Sequence, residues 1–279
     1  MLQKVLIWLL CMCMIDLALA AAKAKDATPT KYLVFREDCF ESFFERFDFA
    51  SDPTCVKFTF SKVLGYAIVL GATIYKVPQI QKLMSSKSAQ GLSRVAYYFE
   101  TIGFIQTLGL SLHMNMDFSV YGDTILIIAQ NSIVIILIWQ YSKDVSIVEK
   151  MAVSALLSSY LVVLVQDTMV TDEIWVIIQS FAIAMVILSR APQIAAIFSE
   201  GSTGALSLVT VALGWAGSLS RLATVLIESD DFKYRLQFIC SAVLNSIIVL
   251  QFVCYWNTGA SAGKQVSDTA GKTRVFFDI

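Results

Sequence analysis

The sequence has few charged residues and almost no histidine. Charged residues make up 15% of its 279 residues and hydrophobic residues 57%, whereas a soluble domain is about 25% charged. Mean hydropathy is +0.67, which at this length indicates several membrane spans rather than a soluble core. The net charge of −1 offers no basic surface for nucleic acid. His113 is the single histidine, and no Cys/His cluster could build a zinc or other metal site.

Signals for catalysis are also missing. The sequence contains no nucleophile–base pair, no metal-ligand motif and no nucleotide-binding loop. Gly201-Ser-Thr-Gly204 is a lone glycine pair in a loop, too weak a signal for a phosphate cradle. We therefore expect neither an enzyme nor a bound cofactor.

Six cysteines fall into three pairs along the chain. One pair lies in the N-terminal apolar segment. Cys240 and Cys254 lie in the last apolar run, where thiols behave as small hydrophobic groups. Cys39 and Cys55 lie in a polar stretch, and whether they form a disulfide depends on that stretch facing an oxidising compartment.

The N-terminus has the form of a secretory signal peptide. Lys4 precedes the apolar run Val5–Ala20, and Ala18-Leu-Ala20 is an A-x-A cleavage site. The alternative is an uncleaved signal anchor, against which the charge of Asp16 argues. With the signal removed, residue 23 onward begins in the lumen.

Residues 23–57 are mixed and charged. Phe40, Phe43, Phe44 and Phe47 recur at helical spacing. They predict a short amphipathic helix that lies on the membrane surface or packs on the protein's own luminal face.

Seven apolar runs follow, and they predict an all-α membrane protein with seven transmembrane helices. Their lengths suit a hydrocarbon core of ~30 Å, and a chain in lipid must satisfy its backbone hydrogen bonds internally. The runs cover about residues 58–77, 93–112, 123–141, 151–166, 174–189, 204–227 and 236–256.

An internal repeat organises these runs. Lys76-Val-Pro-Gln-Ile recurs 114 residues later as Arg190-Ala-Pro-Gln-Ile, and seven of 18 positions in residues 76–93 are identical in the second copy. Run 1 therefore maps onto run 5, run 2 onto run 6 and run 3 onto run 7, which leaves run 4 as a linker. Because three spans reverse the chain direction and one linker restores it, we expect parallel copies in a 3+1+3 arrangement. The expected segments are 1–22 (signal peptide), 23–57 (luminal segment), 58–141 (first repeat), 149–167 (linker helix), 172–257 (second repeat) and 258–279 (disordered tail).

Basic residues indicate the orientation. The loops after runs 1, 3 and 5 and the tail together carry ten lysines and arginines, and the opposite loops carry two. Positive charge accumulates on the cytosolic side. We therefore expect a luminal N-terminus and a cytosolic C-terminus.

The Pro-Gln motifs lie at the predicted cytosolic ends of their spans. Pro78 and Pro192 each remove a backbone hydrogen bond. Each proline could simply end its helix, but two copies at symmetric positions favour paired hinges at a cytosolic gate. Gln79 and Gln193 could return hydrogen bonds to the broken backbone.

A second matched pair lies deeper. Asn131 and Asn245 are 114 residues apart, each ~12–13 Å into its span and so near the bilayer midplane. Gln130 adjoins the first. These amides could form a polar floor for a substrate hydroxyl or phosphate group, or they could hold the bundle together by interhelical hydrogen bonds.

Two charges fall within predicted spans. Glu100 could relay protons, bind a cation or remain protonated. Arg221 could meet an anionic head group near the lumen, or could snorkel to the interface with Glu228. A difference in depth of ~15 Å argues against a direct pair between Glu100 and Arg221.

Several short motifs resemble a known family. The paired Pro-Gln repeats are similar to the PQ-loop superfamily, which includes SWEET sugar transporters and lysosomal amino-acid exporters. Within it, the chain resembles the mannose-P-dolichol utilization defect protein family. The motifs are Glu37-Asp-Cys39 with Pro53 and Cys55, Ser61-Lys-Val-Leu-Gly65, Lys76-Val-Pro-Gln79, Lys87-Ser-Ala-Gln-Gly-Leu-Ser93, Gly217-Ser-Leu-Ser-Arg221 and Tyr255-Trp-Asn257.

The resemblance implies an endoplasmic reticulum membrane protein. Such a protein is needed for dolichol-phosphate mannose and glucose to be used in lipid-linked oligosaccharide and GPI-anchor synthesis, by binding or moving the lipid-linked sugar. The alternatives are a facilitative transporter of a free sugar or other small solute, and a non-transporting assembly factor. Met1–Ala22 departs from the family pattern. Ala195 and Ala196 stand where proton-coupled exporters carry an aspartate, which weakens the case for proton coupling. The substrate and the oligomeric state stay open.

Overall fold

The computed structural model describes residues 30–31, 34–45, 47, 52–89, 94–142, 144–166, 169–201 and 208–255. The predicted signal peptide, the C-terminal tail, and residues 90–93 and 202–207 of the polar loops after the two Pro-Gln motifs lie outside these residues. Predictions for those segments therefore stay predictions.

The described part of the chain is dominated by long helices, and one or more lie at each of the seven predicted apolar runs. The first run is split between two helices. The helices are α2 (Pro53–Ala72), α3 (Val77–Ser86), α4 (Arg94–His113), α5 (Phe118–Tyr141), α6 (Ile147–Val165), α7 (Asp172–Glu200), α8 (Leu208–Glu228) and α9 (Phe232–Cys254).

Five candidate spans in the described residues are long and apolar enough to cross a membrane, when α2 and α3 are taken together. The five are Pro53–Ser86, Phe118–Tyr141, Ile147–Val165, Asp172–Ser199 and Phe232–Cys254. The helical class and the membrane character of the prediction are therefore confirmed, and the seven-span 3+1+3 arrangement stays a prediction.

Local signals explain where several helices begin. The carboxylate of Asp52 accepts a hydrogen bond from the backbone N–H of Thr54, and Pro53 occupies the first turn of α2, where its missing N–H costs nothing. Ser146 caps α6 and Asp231 caps α9 in the same way.

The chain divides into two compact units. The first takes in residues 1–182 and 223–230, and the second residues 183–222 and 231–279. The first unit has an apolar core formed by α3, α4, α5 and the turn after α5. Its buried members are Leu83, Ala89, Tyr97, Val134, Ile135, Ile138, Trp139 and Val145.

The segment before α2 is linked to the first turn of that helix by a disulfide. Strands β1 (Thr30–Lys31) and β2 (Phe35–Arg36) form an antiparallel pair, and α1 (Glu37–Phe40) continues into a π-helical turn at Glu41–Glu45. Cys39 in α1 and Cys55 in α2 are joined by a disulfide, and both are almost fully buried.

The predicted amphipathic helix is only partly correct. Phe43 is buried against Cys39, Cys55 and Phe35, whereas Phe44 is half exposed and Phe47 is 76% exposed. The α-helical geometry ends at Phe40, and Phe47 has a positive φ of 52°, so the four rings do not share one helical face.

We expect reduction of the Cys39–Cys55 disulfide to loosen this segment. Closing a loop of 16 residues stabilises the folded form by about 2–4 kcal/mol. Cys39→Ser should therefore raise the rate of tryptic cleavage within residues 36–57 of the purified protein. Cys240→Ser, which changes a free thiol, is the matched control. Equal cleavage rates in the two variants would contradict this expectation.

Candidate functional site

The helix that carries the first Pro-Gln motif is broken just before the proline. The α-helical pattern stops at Ala72 and resumes at Val77. Between them the backbone makes i→i+3 hydrogen bonds, such as Tyr75 N–H to Ala72 C=O at 3.3 Å. Pro78 thus lies in the first turn of a further helix, where proline is tolerated, and not at the end of a span.

A side chain from α5 occupies this break. The amide oxygen of Gln130 accepts from the backbone N–H of Lys76 at 2.8 Å, and its amide nitrogen donates to the backbone C=O of Ala72 at 2.7 Å. In an uninterrupted helix, that N–H and that C=O would bond to each other, because they are four residues apart. Gln130 therefore replaces one helical hydrogen bond with two of its own, a recognised cause of sharp kinks.

Gln79 does not have the predicted backbone role in the first copy. Its side chain hydrogen-bonds to the hydroxyl of Tyr97 in α4, and the amide of Gln130 satisfies the broken backbone. The sequence analysis placed Gln130 in the site only as a neighbour of Asn131.

Lys76 forms an ion pair that the sequence analysis missed. Its ammonium lies 2.9 and 3.0 Å from the two carboxylate oxygens of Glu100, and 5.1 Å from the ring centres of both Tyr75 and Tyr97. Glu100 is thus a partner of the Pro-Gln segment. This partner was not named among the alternatives for Glu100: the break after Ala72 brings Lys76 to it.

Asn131 is fully buried in α5, next to Gln130. Neither its amide nitrogen nor its amide oxygen has a hydrogen-bond partner within the described residues. A buried polar group without a partner costs about 1–3 kcal/mol, so an unpaired amide at this depth calls for an explanation. Its orphaned donor and acceptor match the requirements of a hydroxyl group.

The second Pro-Gln motif has a different backbone. Pro192 lies inside α7, which continues unbroken to Glu200, although the motif was predicted to follow the end of a span. Such prolines are tolerated in membrane helices, where neighbouring groups satisfy the freed backbone. Gln193 accepts from the guanidinium of Arg190, one turn earlier in the same helix, at 3.5 Å. The expectation of two equivalent hinges is therefore not matched by the backbone.

Asn245 also differs from its counterpart. It lies in α9, in the second unit, and its amide nitrogen donates to the backbone C=O of Ser241 at 2.8 Å. Asn245 is therefore satisfied within its own helix, whereas Asn131 in the first unit is not.

A buried cluster near the start of α2 was not anticipated. The ammonium of Lys62 donates to the carboxylates of Asp117 and Glu228, the latter at 2.9 Å, and Ser61 donates to Glu228 at 2.7 Å. The three charged side chains are each less than 10% exposed. Glu228, which was one of two alternative partners considered for Arg221, receives hydrogen bonds from α2. Arg221 itself is half-buried in α8.

Gly65 explains how α2 comes so close to α5. A Cβ at this position would lie 2.6 Å from the backbone oxygen of Ser119, which is too short for any side chain. Ser119 also accepts from the ammonium of Lys62 at 3.2 Å. The glycine one turn after Lys62 therefore permits the approach that brings its ammonium to Asp117.

Two carboxylates outside the long helices pair with arginines. Arg36 donates twice to Asp38, both at 2.7 Å, and Arg94 donates to Asp144 at 2.6 Å. Each of these hydrogen bonds lowers the pKa of the carboxyl group. Both attractions are therefore present above the usual carboxyl range and are lost as the pH falls through the lowered pKa values.

One group among the described residues has metal-ligand spacing, namely Asp38, Cys39 and Cys55. Both of its sulfur atoms are consumed by the disulfide, and its carboxylate is held by Arg36. This group therefore does not fit a metal ion.

Comparison with known proteins gives the repeats a family. Residues 60–116 and 174–234 match the family described as PQ loop repeat. The matched segments begin 114 residues apart, which is the offset between the two Pro-Gln motifs.

One curated relative is Solute carrier family 66 member 3 from Homo sapiens, which is 24% identical over 189 residues. The alignment covers 67% of this chain and 90% of the relative. No solved structure matches the chain. The chain is therefore similar to PQ loop repeat proteins and to a relative named as a solute carrier, and its apolar helices are those of a multi-pass membrane protein. Neither match distinguishes the mannose-P-dolichol utilization defect family.

We expect Lys62→Met to destabilise the protein strongly. The substitution removes the ammonium between two buried carboxylates, and breaking a buried ion pair from one side costs about 3–5 kcal/mol. Thermal unfolding of the purified protein in detergent should occur at a clearly lower temperature. Lys57→Met, at an exposed position in the same helix, is the control. If both variants unfold at the same temperature, the cluster contributes nothing to stability.

Proposed function

We propose that this protein is a membrane carrier built from two three-helix repeats and one linker helix, and that its substrate presents hydroxyl groups to Asn131. Two matched repeats, helices at all seven predicted places and a relative named as a solute carrier support this assignment. The observation that carries it is the fully buried amide of Asn131, which has no partner among the described residues.

The disulfide supports an oxidising compartment for the start of α2. Disulfides persist where the environment is oxidising, and Cys55 lies in the first turn of α2. The start of α2 would then face an oxidising lumen, and seven spans would leave the C-terminal tail in the cytosol. The resemblance to the mannose-P-dolichol utilization defect family favours the endoplasmic reticulum as the compartment. The distribution of basic residues favours the same orientation.

The first candidate substrate is a dolichol-phosphate sugar. The motifs that resemble the mannose-P-dolichol utilization defect family favour it, together with a luminal disulfide. The protein would bind or move dolichol-phosphate mannose and glucose, and so make them available for N-glycan and GPI-anchor synthesis. In the first unit, Gln130, Asn131 and Glu100 are the candidate contacts of the sugar head group. In the second unit, Asn245 and Arg221 stay candidate contacts from the sequence.

A free small solute is the second candidate, and the relative's name favours it. Reconstitution separates the two. Proteoliposomes should be assayed for movement of dolichol-phosphate mannose between leaflets and for flux of free mannose. Activity on the lipid alone supports the first candidate, and flux of the free sugar supports the second. If neither moves, the remaining alternative is a non-transporting assembly factor, and the proposal of a carrier fails.

We expect Asn131→Ala to lower transport about tenfold without lowering stability. Loss of one hydrogen bond to the substrate costs ~1.4 kcal/mol, whereas removal of an unpaired buried amide leaves the fold as stable as before or more stable. Initial transport rate and unfolding temperature are the two measurements.

Ser132→Ala is the control, because the Ser132 hydroxyl donates within its own helix to Ile128 C=O at 2.9 Å. A marked fall in unfolding temperature for Asn131→Ala would instead identify its amide as part of the bundle's internal bonding, as the alternative interpretation of this residue requires.

A further inference from the structure

The two Pro-Gln segments differ although their proline and glutamine are the same. The first segment is broken between Ala72 and Val77, and the second lies within one unbroken helix. Proline alone therefore does not decide whether the helix breaks. The deciding groups must be ones that the first copy has and the second copy lacks.

The repeat offset identifies these groups. The position that corresponds to Gln130 is Leu244, and the position that corresponds to Glu100 is Gly214. The second copy thus lacks both the amide that replaces the helical hydrogen bond and the carboxylate that holds the base before the proline. The base itself is retained as Arg190.

We propose that Gln130 is a positioning residue that holds α2 and α3 in the broken form, and that its withdrawal lets them join into one helix like α7. On withdrawal, the N–H of Lys76 regains the C=O of Ala72 as its partner. Two hydrogen bonds from a side chain are exchanged for one within the backbone, so both forms keep these backbone groups satisfied. Movement is then confined to the first repeat, and α7 of the second repeat stays straight.

The inference deepens the proposed function because Gln130 adjoins Asn131 in α5. A substrate hydroxyl that engages the amide of Asn131 acts on the same turn of helix that carries Gln130. Substrate binding and the state of the break are thereby coupled through α5, and this part of the inference rests on the proposed function.

Spin labels can measure the break directly. Val63 in α2 and Met84 in α3 are exposed, and so are their counterparts Ile177 and Phe198 in α7. Each pair is 21 residues apart, which spans about 32 Å in a straight helix. Each pair would be changed to cysteine in the full chain, with the Cys39–Cys55 disulfide kept and the other four cysteines replaced by serine. Distances would be measured in lipid nanodiscs.

In the labelled protein that keeps Gln130, we expect the distance between the labels at 63 and 84 to be shorter than the distance between the labels at 177 and 198. Gln130→Leu, which copies the second repeat, should lengthen the first distance to match the second. Gln251→Leu is the control, because Gln251 donates to Ile194 C=O in the second unit at 2.9 Å, and it should leave the first distance unchanged.

Equal distances before substitution, or no lengthening in Gln130→Leu, would overturn the inference. If Gln130→Leu fails to fold, Gln130→Met keeps the length of the side chain without its hydrogen bonds, and the same two outcomes apply to it.

Adding dolichol-phosphate mannose or free mannose tests the coupling. A shift in the first distance with either compound supports the coupling, and no shift with a compound that the protein transports overturns it. Lengthening in Gln130→Leu, together with no transport of either compound by the unsubstituted protein, would retain the hinge and reject the proposed function. Transport by the unsubstituted protein without lengthening in Gln130→Leu would retain the proposed function and reject the hinge.

Discussion

The first repeat depends on one side-chain amide inserted into a helix. Proline removes a single backbone hydrogen bond, and α7 continues through Pro192 without interruption. Gln130 does more, because it binds the N–H of Lys76 and the C=O of Ala72 and so prevents them from bonding to each other. The chain then leaves the axis of α2, and Lys76 reaches Glu100. This replacement of one backbone hydrogen bond by the Gln130 amide produces the kink. The ion pair and the packing of α3 against α4 and α5 follow from the kink.

The sequence was sufficient to predict the helices and the repeat because both leave signals over many residues. Apolar runs of about 20 residues identify helices at membrane length, and a constant offset of 114 residues identifies a duplication. The family match at 60–116 and 174–234 confirms that duplication. The partnership of Cys39 and Cys55 was one of two open alternatives, because spacing alone does not show whether two cysteines are adjacent in the fold.

The contacts of individual charges were beyond the sequence analysis. The position of a residue along a helix predicts its depth in the bilayer. It does not predict which face of the helix the residue lies on, or whether the helix is broken. Lys62 entered the sequence analysis only as part of the motif Ser61-Lys-Val-Leu-Gly65, and its carboxylate partners lie 55 and 166 residues away. The difference between the repeats could have been found earlier. The identical positions suggested that the two repeats have the same structure. The break in the first copy is instead explained by two positions that differ between the copies, Gln130 against Leu244 and Glu100 against Gly214.

The buried amide of Asn131 has a consequence for selectivity. A site built to hydrogen-bond a substrate hydroxyl rejects an analogue without that group more strongly than an apolar pocket rejects an analogue of different size, because the buried polar groups of the site are then left unpaired. With the amide as its contact, the carrier would discriminate between sugars by the presence and direction of one hydroxyl. Deoxygenation at that carbon would be penalised more severely than the addition of bulk elsewhere.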